Sequence, residues 1–174
     1  MFDEVQTAEP QTRPTMKTGT VATRDELTSH GFAPHQLQFR TVDFSGQFCE
    51  WDTLGVIPNS AGLYAFVISP PDRPDELRVT YVGLTDNLWM VTKGRLPNGS
   101  SRPAQRYGRH KYAGETRARV NGLVAEAKRA GFGVTHWLSP RLVTSGEQAR
   151  VALAPLEEEL IGKWELRRTG WNRG

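Results

Sequence analysis

Residues 61–84, AGLYAFVISPPDRPDELRVTYVGL, constrain the fold of this chain more than any other stretch. Residues 62–68 form a nearly continuous apolar run rich in β-formers, which is typical of a strand buried on both faces. Residues 78–83 form a second such run, and each run carries a tyrosine close to a glycine. The proline-rich segment 69–74 between them cannot continue a strand ladder, since proline donates no backbone hydrogen bond. We therefore predict an antiparallel hairpin.

The sequence after this hairpin alternates helical and extended patterns. Pro103 is suited to open a helix that runs to about residue 112. Apolar residues recur at helical spacing over 115–130, and a third strand is predicted over 132–138. A final helix follows over 146–167. We predict an α+β domain: a small, mainly antiparallel sheet of about three strands, flanked by helices.

The chain divides into three parts by composition. Residues 1–20 are polar and read as a flexible lead-in. Residues 21–57 are expected to be an N-terminal elaboration that packs on the main domain, and residues 58–174 are expected to form that domain. Within it, residues 85–103 read as an irregular loop of about 19 residues, a length that is usually functional.

Charge is distributed unevenly along the chain. Residues 1–57 hold 4 Lys/Arg and 8 Asp/Glu, a net of −4, whereas residues 58–174 hold 18 and 11, a net of +7. A basic surface attracts polyanions, because each neutralised phosphate releases counterions. The alternative is a solvated basic face with no partner, and composition alone does not separate the two.

Other features of the composition narrow the protein class. A single cysteine, Cys49, excludes an intrachain disulfide and a cysteine-based metal cluster. No apolar run approaches the roughly 20 residues of a membrane span, and the N-terminus lacks the pattern of a secretory signal. We therefore expect a cytoplasmic protein that does not bind a membrane.

Several polar residues are informative about function only when they are considered together and in their order along the chain. Singly, each has a structural explanation; a tyrosine in a strand, for example, usually packs its ring and exposes its hydroxyl. Together they resemble the GIY-YIG nuclease superfamily, over about residues 58–174. The matching elements are Gly62-Leu63-Tyr64, Tyr81-Val82-Gly83, Arg106 with His110, the helix Leu156-Glu157-Glu158-Glu159-Leu160-Ile161, and Trp171-Asn172.

The resemblance implies roles for these residues in hydrolysis of DNA phosphodiesters. Glu157 would bind Mg²⁺, with Mn²⁺ as a substitute. Arg106 would stabilise the charge that develops on the phosphate, and His110 would assist the base or contact the scissile phosphate. The remaining catalytic residues would be Tyr64, which orients or deprotonates water, Tyr81, which positions the phosphate, and Asn172, which supports them. DNA contacts are expected from Lys93, Arg95, Arg102, Arg109 and Lys111.

This sequence departs from the family pattern in several places. The gap between the tripeptides and the loop before Arg106 are both expanded, and Leu84 stands where many members have a polar or basic residue. The connection from Glu157 to Asn172 is longer by a few residues, which leaves Glu158 as a rival metal ligand. If the two tyrosines share a site, their hydroxyls must lie on one face of adjacent strands.

The resemblance is closer to the restriction-endonuclease branch than to the excision-repair branch. A restriction-type endonuclease is therefore our first hypothesis, and a cut through both strands would suggest a homodimer. The alternatives are a structure-selective or DNA-repair nuclease, a catalytically inactive protein that binds nucleic acid, and a basic interaction module without nucleic acid.

Overall fold

A single antiparallel sheet with helices on both faces forms the described part of the chain. The computed structural model describes residues 16–39, 51–54, 60–86, 88, 113–141 and 147–173. Within these ranges the strands are β1 (Thr20–Ala22), β2 (Ala33–Phe39), β3 (Trp51–Leu54), β4 (Gly62–Ser69), β5 (Leu77–Thr85) and β6 (Gly133–Pro140). The helices are α1 (Arg24–Ser29), α2 (Ala113–Arg129) and α3 (Glu147–Lys163).

The sheet confirms the α+β class but is wider than predicted. Five antiparallel pairings join the strands in the order β1-β5-β4-β6-β2-β3. The predicted hairpin is β4 paired with β5, and the predicted third strand is β6, which pairs with the other edge of β4. The expectation of three strands is wrong because β1, β2 and β3, all from residues 20–54, extend this trio on both sides.

A register shift in the central hairpin decides which side chains share a face. Phe66 pairs with Tyr81, whereas the next residue, Val67, pairs with Val79. Thr80 is therefore an extra residue, as in a β-bulge, and its hydroxyl donates to the carbonyl oxygen of Phe66 over 2.9 Å. In a regular strand, Val79 and Tyr81 would point to the same side. The bulge places Val79 in one core and Tyr81 in the other.

The two faces of the sheet carry two separate cores. On one face, α3 packs against β4 and β5 through a buried set that includes Leu63, Val67, Leu153, Leu160 and Trp164. On the other face, α2 packs over a smaller set that includes Phe66, Tyr81, Val120, Val124 and Trp171. The sheet therefore lies between α2 and α3, with the tyrosines on the α2 side.

The helices follow the predicted pattern where the structure describes them. α2 ends where predicted: Gly131 has a φ of +87°, a conformation that favours glycine. α3 continues through Pro155. The helix predicted over residues 104–112 lies outside the described residues. None of the helices described is long and apolar enough to cross a bilayer.

His136 is an unusual member of the core on the α2 side. Its side chain is 2% exposed, and its ring stacks on Phe66 with centroids 4.7 Å apart. Within the described part of the chain, neither ring nitrogen has a hydrogen-bond partner. Burial, with a smaller contribution from His35, lowers the pKa of His136 to about 3. The imidazole is therefore neutral and acts as a polar group buried in an apolar layer, which costs stability.

This burial predicts an acid-sensitive contribution to stability. In the unfolded chain His136 titrates near its ordinary pKa of 6.5. Between pH 6.5 and 3 the unfolded state binds the extra proton, so the free energy of unfolding falls as the pH falls, by up to about 1.4 kcal/mol per pH unit. His136→Leu should lessen this slope and leave stability at pH 7 unchanged or higher. Urea denaturation from pH 7 to 4 measures both; identical slopes in the two proteins would contradict the prediction.

Candidate functional site

The outer edge of β5 is only partly covered by its neighbouring strand. β1 pairs with Leu77, Arg78 and Val79 of β5, and it does not extend along β5 beyond Val79. Beyond this point, the backbone groups of Thr80, Val82 and Leu84 point away from β4 and need other partners. Because an open strand edge exposes unpaired donors and acceptors, the segments that cover this edge determine what can bind there.

The C-terminal segment covers the first part of the edge. The amide of Trp171 donates to the carbonyl oxygen of Thr80 over 2.6 Å. The side-chain amide of Asn172 accepts from the Val82 N–H (3.0 Å) and donates to the Val82 carbonyl (2.8 Å). Gly170 is required here because a Cβ atom would collide with the Thr80 carbonyl. Asn172, predicted as a catalytic residue, thus uses its amide to hold the chain end against β5.

Glu157 covers the next backbone donor along the same edge. Its carboxylate accepts a hydrogen bond from the Leu84 N–H. The side chain is half-buried, and burial raises its pKa, with a smaller contribution from Glu158. Glu158 itself is exposed and paired with Arg167, whose Nη2 lies 2.6 and 2.8 Å from the two carboxylate oxygens. The geometry favours Glu157 over Glu158 as the carboxylate that faces the site.

The two tyrosines meet on the α2 face beside this edge. Tyr64 pairs with Gly83 and Phe66 with Tyr81, so all four residues share a face. The hydroxyls of Tyr64 and Tyr81 share a hydrogen bond, and their ring centroids lie 6.0 Å apart. Glu157 is close enough to Tyr81 to raise its pKa further. Both hydroxyls therefore meet near the strand edge where Glu157 lies.

The environment of Tyr81 assigns it a protonated hydroxyl. The side chain is 8% exposed, and burial is the main cause that raises its pKa. The hydrogen bond from Tyr64 and the charge of Arg119 oppose this shift and are outweighed. Tyr81 is therefore suited to donate or accept a hydrogen bond rather than to act as a base.

Gly83 makes the approach of the two tyrosines possible. The ring of Tyr64 lies directly over Gly83, and a Cβ atom added there would approach Tyr64 Cε1 to 2.8 Å. A side chain at this position would therefore displace the tyrosine ring. Packing against Tyr64 therefore requires the glycine of the second tripeptide. The backbone conformation does not require it, since the φ of Gly83 is not positive.

Arg119 also belongs to this region, although it is part of none of the sequence motifs. Its Nη1 donates to the carbonyl oxygen of Trp171 over 2.7 Å, and it lies close enough to Tyr81 for their charges to interact. From the sequence alone, Arg119 would be interpreted as an exposed charged side chain on a helix. It directly precedes Val120, which is buried. This position in the sequence places Arg119 at the margin of the helix face that is turned to the sheet.

Several predicted site residues lie outside the described residues. These are the proposed catalytic pair Arg106 and His110, and the expected DNA contacts Lys93, Arg95, Arg102, Arg109 and Lys111. The structure therefore brings together four of the six predicted catalytic residues: Tyr64, Tyr81, Glu157 and Asn172. The roles of the other residues stay predictions.

The donor set at the strand edge is compatible with one class of metal ion. Among the described residues, no group of three or more His, Cys, Asp or Glu side chains could hold a metal. Zinc usually requires three or four such ligands. Mg²⁺ keeps most of its waters and commonly takes one or two carboxylates. The half-buried carboxylate of Glu157, whose charge is destabilised by burial, fits such an ion.

Comparison with known proteins gives no further assignment. No family model, no curated protein and no solved structure matches this chain.

Gly83→Ala tests the packing that joins the two tyrosines. We expect the methyl group to displace the Tyr64 ring and lower the free energy of unfolding by about 1–3 kcal/mol, as overpacking does. Gly122→Ala is the matched control, since a Cβ atom there meets nothing within 4 Å and should stabilise α2 by about 0.5–1 kcal/mol. Urea denaturation compares the three proteins. Equal stability of Gly83→Ala and the parent would show that Tyr64 does not lie over Gly83.

Proposed function

We propose that this protein is a metal-dependent endonuclease that hydrolyses DNA phosphodiester bonds, most closely of the restriction type. One observation carries the proposal: the hydrogen-bonded pair Tyr64 and Tyr81 and the half-buried carboxylate of Glu157 converge at the part of the β5 edge that β1 does not cover. These are residues of three separate sequence motifs, and the resemblance to the GIY-YIG superfamily requires them to meet. The net charge of +7 over residues 58–174 supports a polyanionic substrate.

Glu157 is the residue that would hold Mg²⁺ in this proposal. A bound divalent ion polarises a phosphoryl oxygen and neutralises the charge of the transition state. Burial raises the pKa of Glu157, so its ionised form gains more from a nearby cation than an exposed carboxylate would. The hydrogen bond from the Leu84 amide fixes the carboxylate at the strand edge. Metal affinity should therefore weaken on acidification at a higher pH than for an exposed glutamate.

The tyrosines have complementary roles in the proposed reaction. Tyr64 would orient the attacking water, because its hydroxyl is held beside the carboxylate region by the bond to Tyr81. Tyr81, which burial keeps protonated, would fix that hydroxyl and donate to a phosphate oxygen. Asn172 would be a positioning residue, since its amide holds the C-terminal segment on Val82. Arg106 would supply the cation for the phosphate, as the sequence resemblance implies.

The direct test incubates the purified protein with supercoiled plasmid and with linear DNA, in Mg²⁺ or in EDTA. Discrete fragments that require the metal would support a restriction-type endonuclease, and a dimer in solution would agree with cuts through both strands. Cleavage confined to branched, flapped or single-stranded DNA would favour a repair nuclease. DNA binding without any cutting, across several divalent metals, would exclude the enzyme.

Two neighbouring glutamates provide a matched pair for the site assignment. Glu157→Gln keeps the size of the side chain but removes the charge proposed to bind Mg²⁺, and it should lower the cleavage rate by about 100-fold or more. Glu158→Gln removes the same charge from an exposed ion pair, which is worth about 0–1 kcal/mol, and should cleave nearly as well as the parent. Initial rates on supercoiled plasmid measure both. The opposite pattern would assign the metal to Glu158.

Tyr64→Phe removes the hydroxyl proposed to orient the water and keeps the ring over Gly83. We expect a loss of about 10²–10⁴ in the cleavage rate, the usual contribution of a positioned acid–base group, with little change in DNA binding. Plasmid cleavage and DNA-binding isotherms separate the two effects. A fully active Tyr64→Phe protein would remove Tyr64 from the mechanism.

A further inference from the structure

Arg119 is a cation at the site for which the described chain provides no counter-ion. The side chain is only half exposed, and its Nε atom is buried without a hydrogen-bond partner among the described residues. Its one hydrogen bond among the described residues, from Nη1, goes to the neutral carbonyl oxygen of Trp171. Burial of an unpaired charge costs stability, and such groups persist where a ligand supplies the missing partner.

A second guanidinium group lies close by. Arg173 follows Asn172 on the segment that covers β5 and is exposed. Arg173 stands two residues after Trp171, whose carbonyl oxygen binds Arg119. Burial lowers the pKa of Arg119, and the charge of Arg173 lowers it further. By contrast, Arg167 and Arg168 on the same segment are each paired with a glutamate. Among the described arginines of the segment after α3, Arg173 is thus the one without a carboxylate partner, and it lies near Arg119 in the chain fold through Trp171.

The position of this pair relative to Glu157 follows from the strand edge. Trp171, whose carbonyl holds Arg119, is bonded to Thr80, whereas Glu157 is bonded to Leu84. These anchor points are four residues apart on β5, or about 13 Å at the usual rise of a strand. Asn172 and Tyr81 lie between them. The cationic pair is thus adjacent to the proposed reaction centre and separate from it.

We infer that Arg119 and Arg173 bind a backbone phosphate of the DNA, one that flanks the phosphate placed at Glu157. Guanidinium groups suit this role because their planar forks match phosphate oxygens. Nη2 of Arg119 and the exposed end of Arg173 remain available for such bonds. The inference rests on the proposed function for its substrate, and it assigns to Arg119 a contact that positions the strand rather than the chemistry of the cut.

The test is DNA binding without cleavage. A short fluorescein-labelled DNA duplex is titrated with the protein in EDTA over a range of salt concentrations, and anisotropy reports the association constant. Each phosphate contact contributes about 0.9 to the slope of log K against log[salt] for duplex DNA. Because both arginines are inferred to bind the same phosphate, the double variant Arg119→Gln/Arg173→Gln should lower the slope by about this amount, and each single variant should lower it by part of that amount. Arg119→Lys should keep the slope but bind more weakly, because the fork is lost.

Arg73→Gln is the matched charge control. Arg73 lies in the turn at the far end of the β4–β5 hairpin and is exposed and paired with Glu76. Arg73→Gln removes one positive charge from the same protein and should leave the slope of log K against log[salt] unchanged. If Arg119→Gln does not fold, Arg173→Gln and Arg119→Lys carry the test, since the first is an exposed change and the second keeps the charge.

The outcomes separate this inference from the proposed function. Slopes that stay unchanged in both Arg119→Gln and Arg173→Gln, or that fall equally in Arg73→Gln, would overturn the phosphate site even if the protein cuts DNA. A selective loss of slope in a protein that cuts no DNA would retain the phosphate site and exclude the nuclease.

Discussion

The edge of β5 beyond Val79, which β1 does not cover, is the constraint on which the candidate site depends. Three successive outward-facing residues, Thr80, Val82 and Leu84, must find partners for their backbone groups, and a buried group left without one costs about 1–3 kcal/mol. In this protein the partners are a main-chain amide, an asparagine side chain and a glutamate carboxylate. The same bonds that satisfy the strand therefore fix the C-terminal segment and α3 beside the tyrosines.

The described residues compensate only part of the charge at this edge. Glu157 is a carboxylate whose pKa is raised by burial and by Glu158, and Arg119 is a half-buried cation repelled by Arg173. A cation bound at Glu157 and an anion bound at Arg119 would relieve both costs. A metal ion and a phosphate are such a pair, and a nucleic-acid strand with a divalent ion supplies them together. The electrostatics and the sequence resemblance thus favour the same substrate by independent arguments.

Much of the central sheet could be predicted because its residues obey local rules. The apolar runs of β4 and β5 predict strands, and the prolines between them predict a turn. The glycine after α2 predicts the end of a helix. Of the outer strands, the alternation of Leu37 and Phe39 indicates a short strand, which is part of β2, whereas local sequence does not indicate β1. β1 has only three residues, and its place in the sheet depends on pairing with Leu77, Arg78 and Val79, which no local pattern reveals.

Within the site, the sequence indicates which side chains lie together more reliably than it indicates what each side chain does. Tyr64, Tyr81 and Glu157 were found from motif order, but only the bulge at Thr80 explains why Tyr81 leaves the face of Val79. An extra residue in one strand cannot be read from alternation, since it breaks the alternation. Arg119 was overlooked because its importance arises from a long-range contact with Trp171, 52 residues away in the chain.

In the proposed function, Glu157 binds a divalent cation at the edge of β5, next to the paired tyrosines. The most direct measurement is the ¹H–¹⁵N spectrum of the protein titrated with Mn²⁺, whose unpaired electrons broaden nearby amide signals. We predict broadening centred on Leu84 and Glu157 that extends to Gly83 and Asn172, and its loss in Glu157→Gln. Broadening that persists in Glu157→Gln, or that is centred away from this strand edge, would contradict the account.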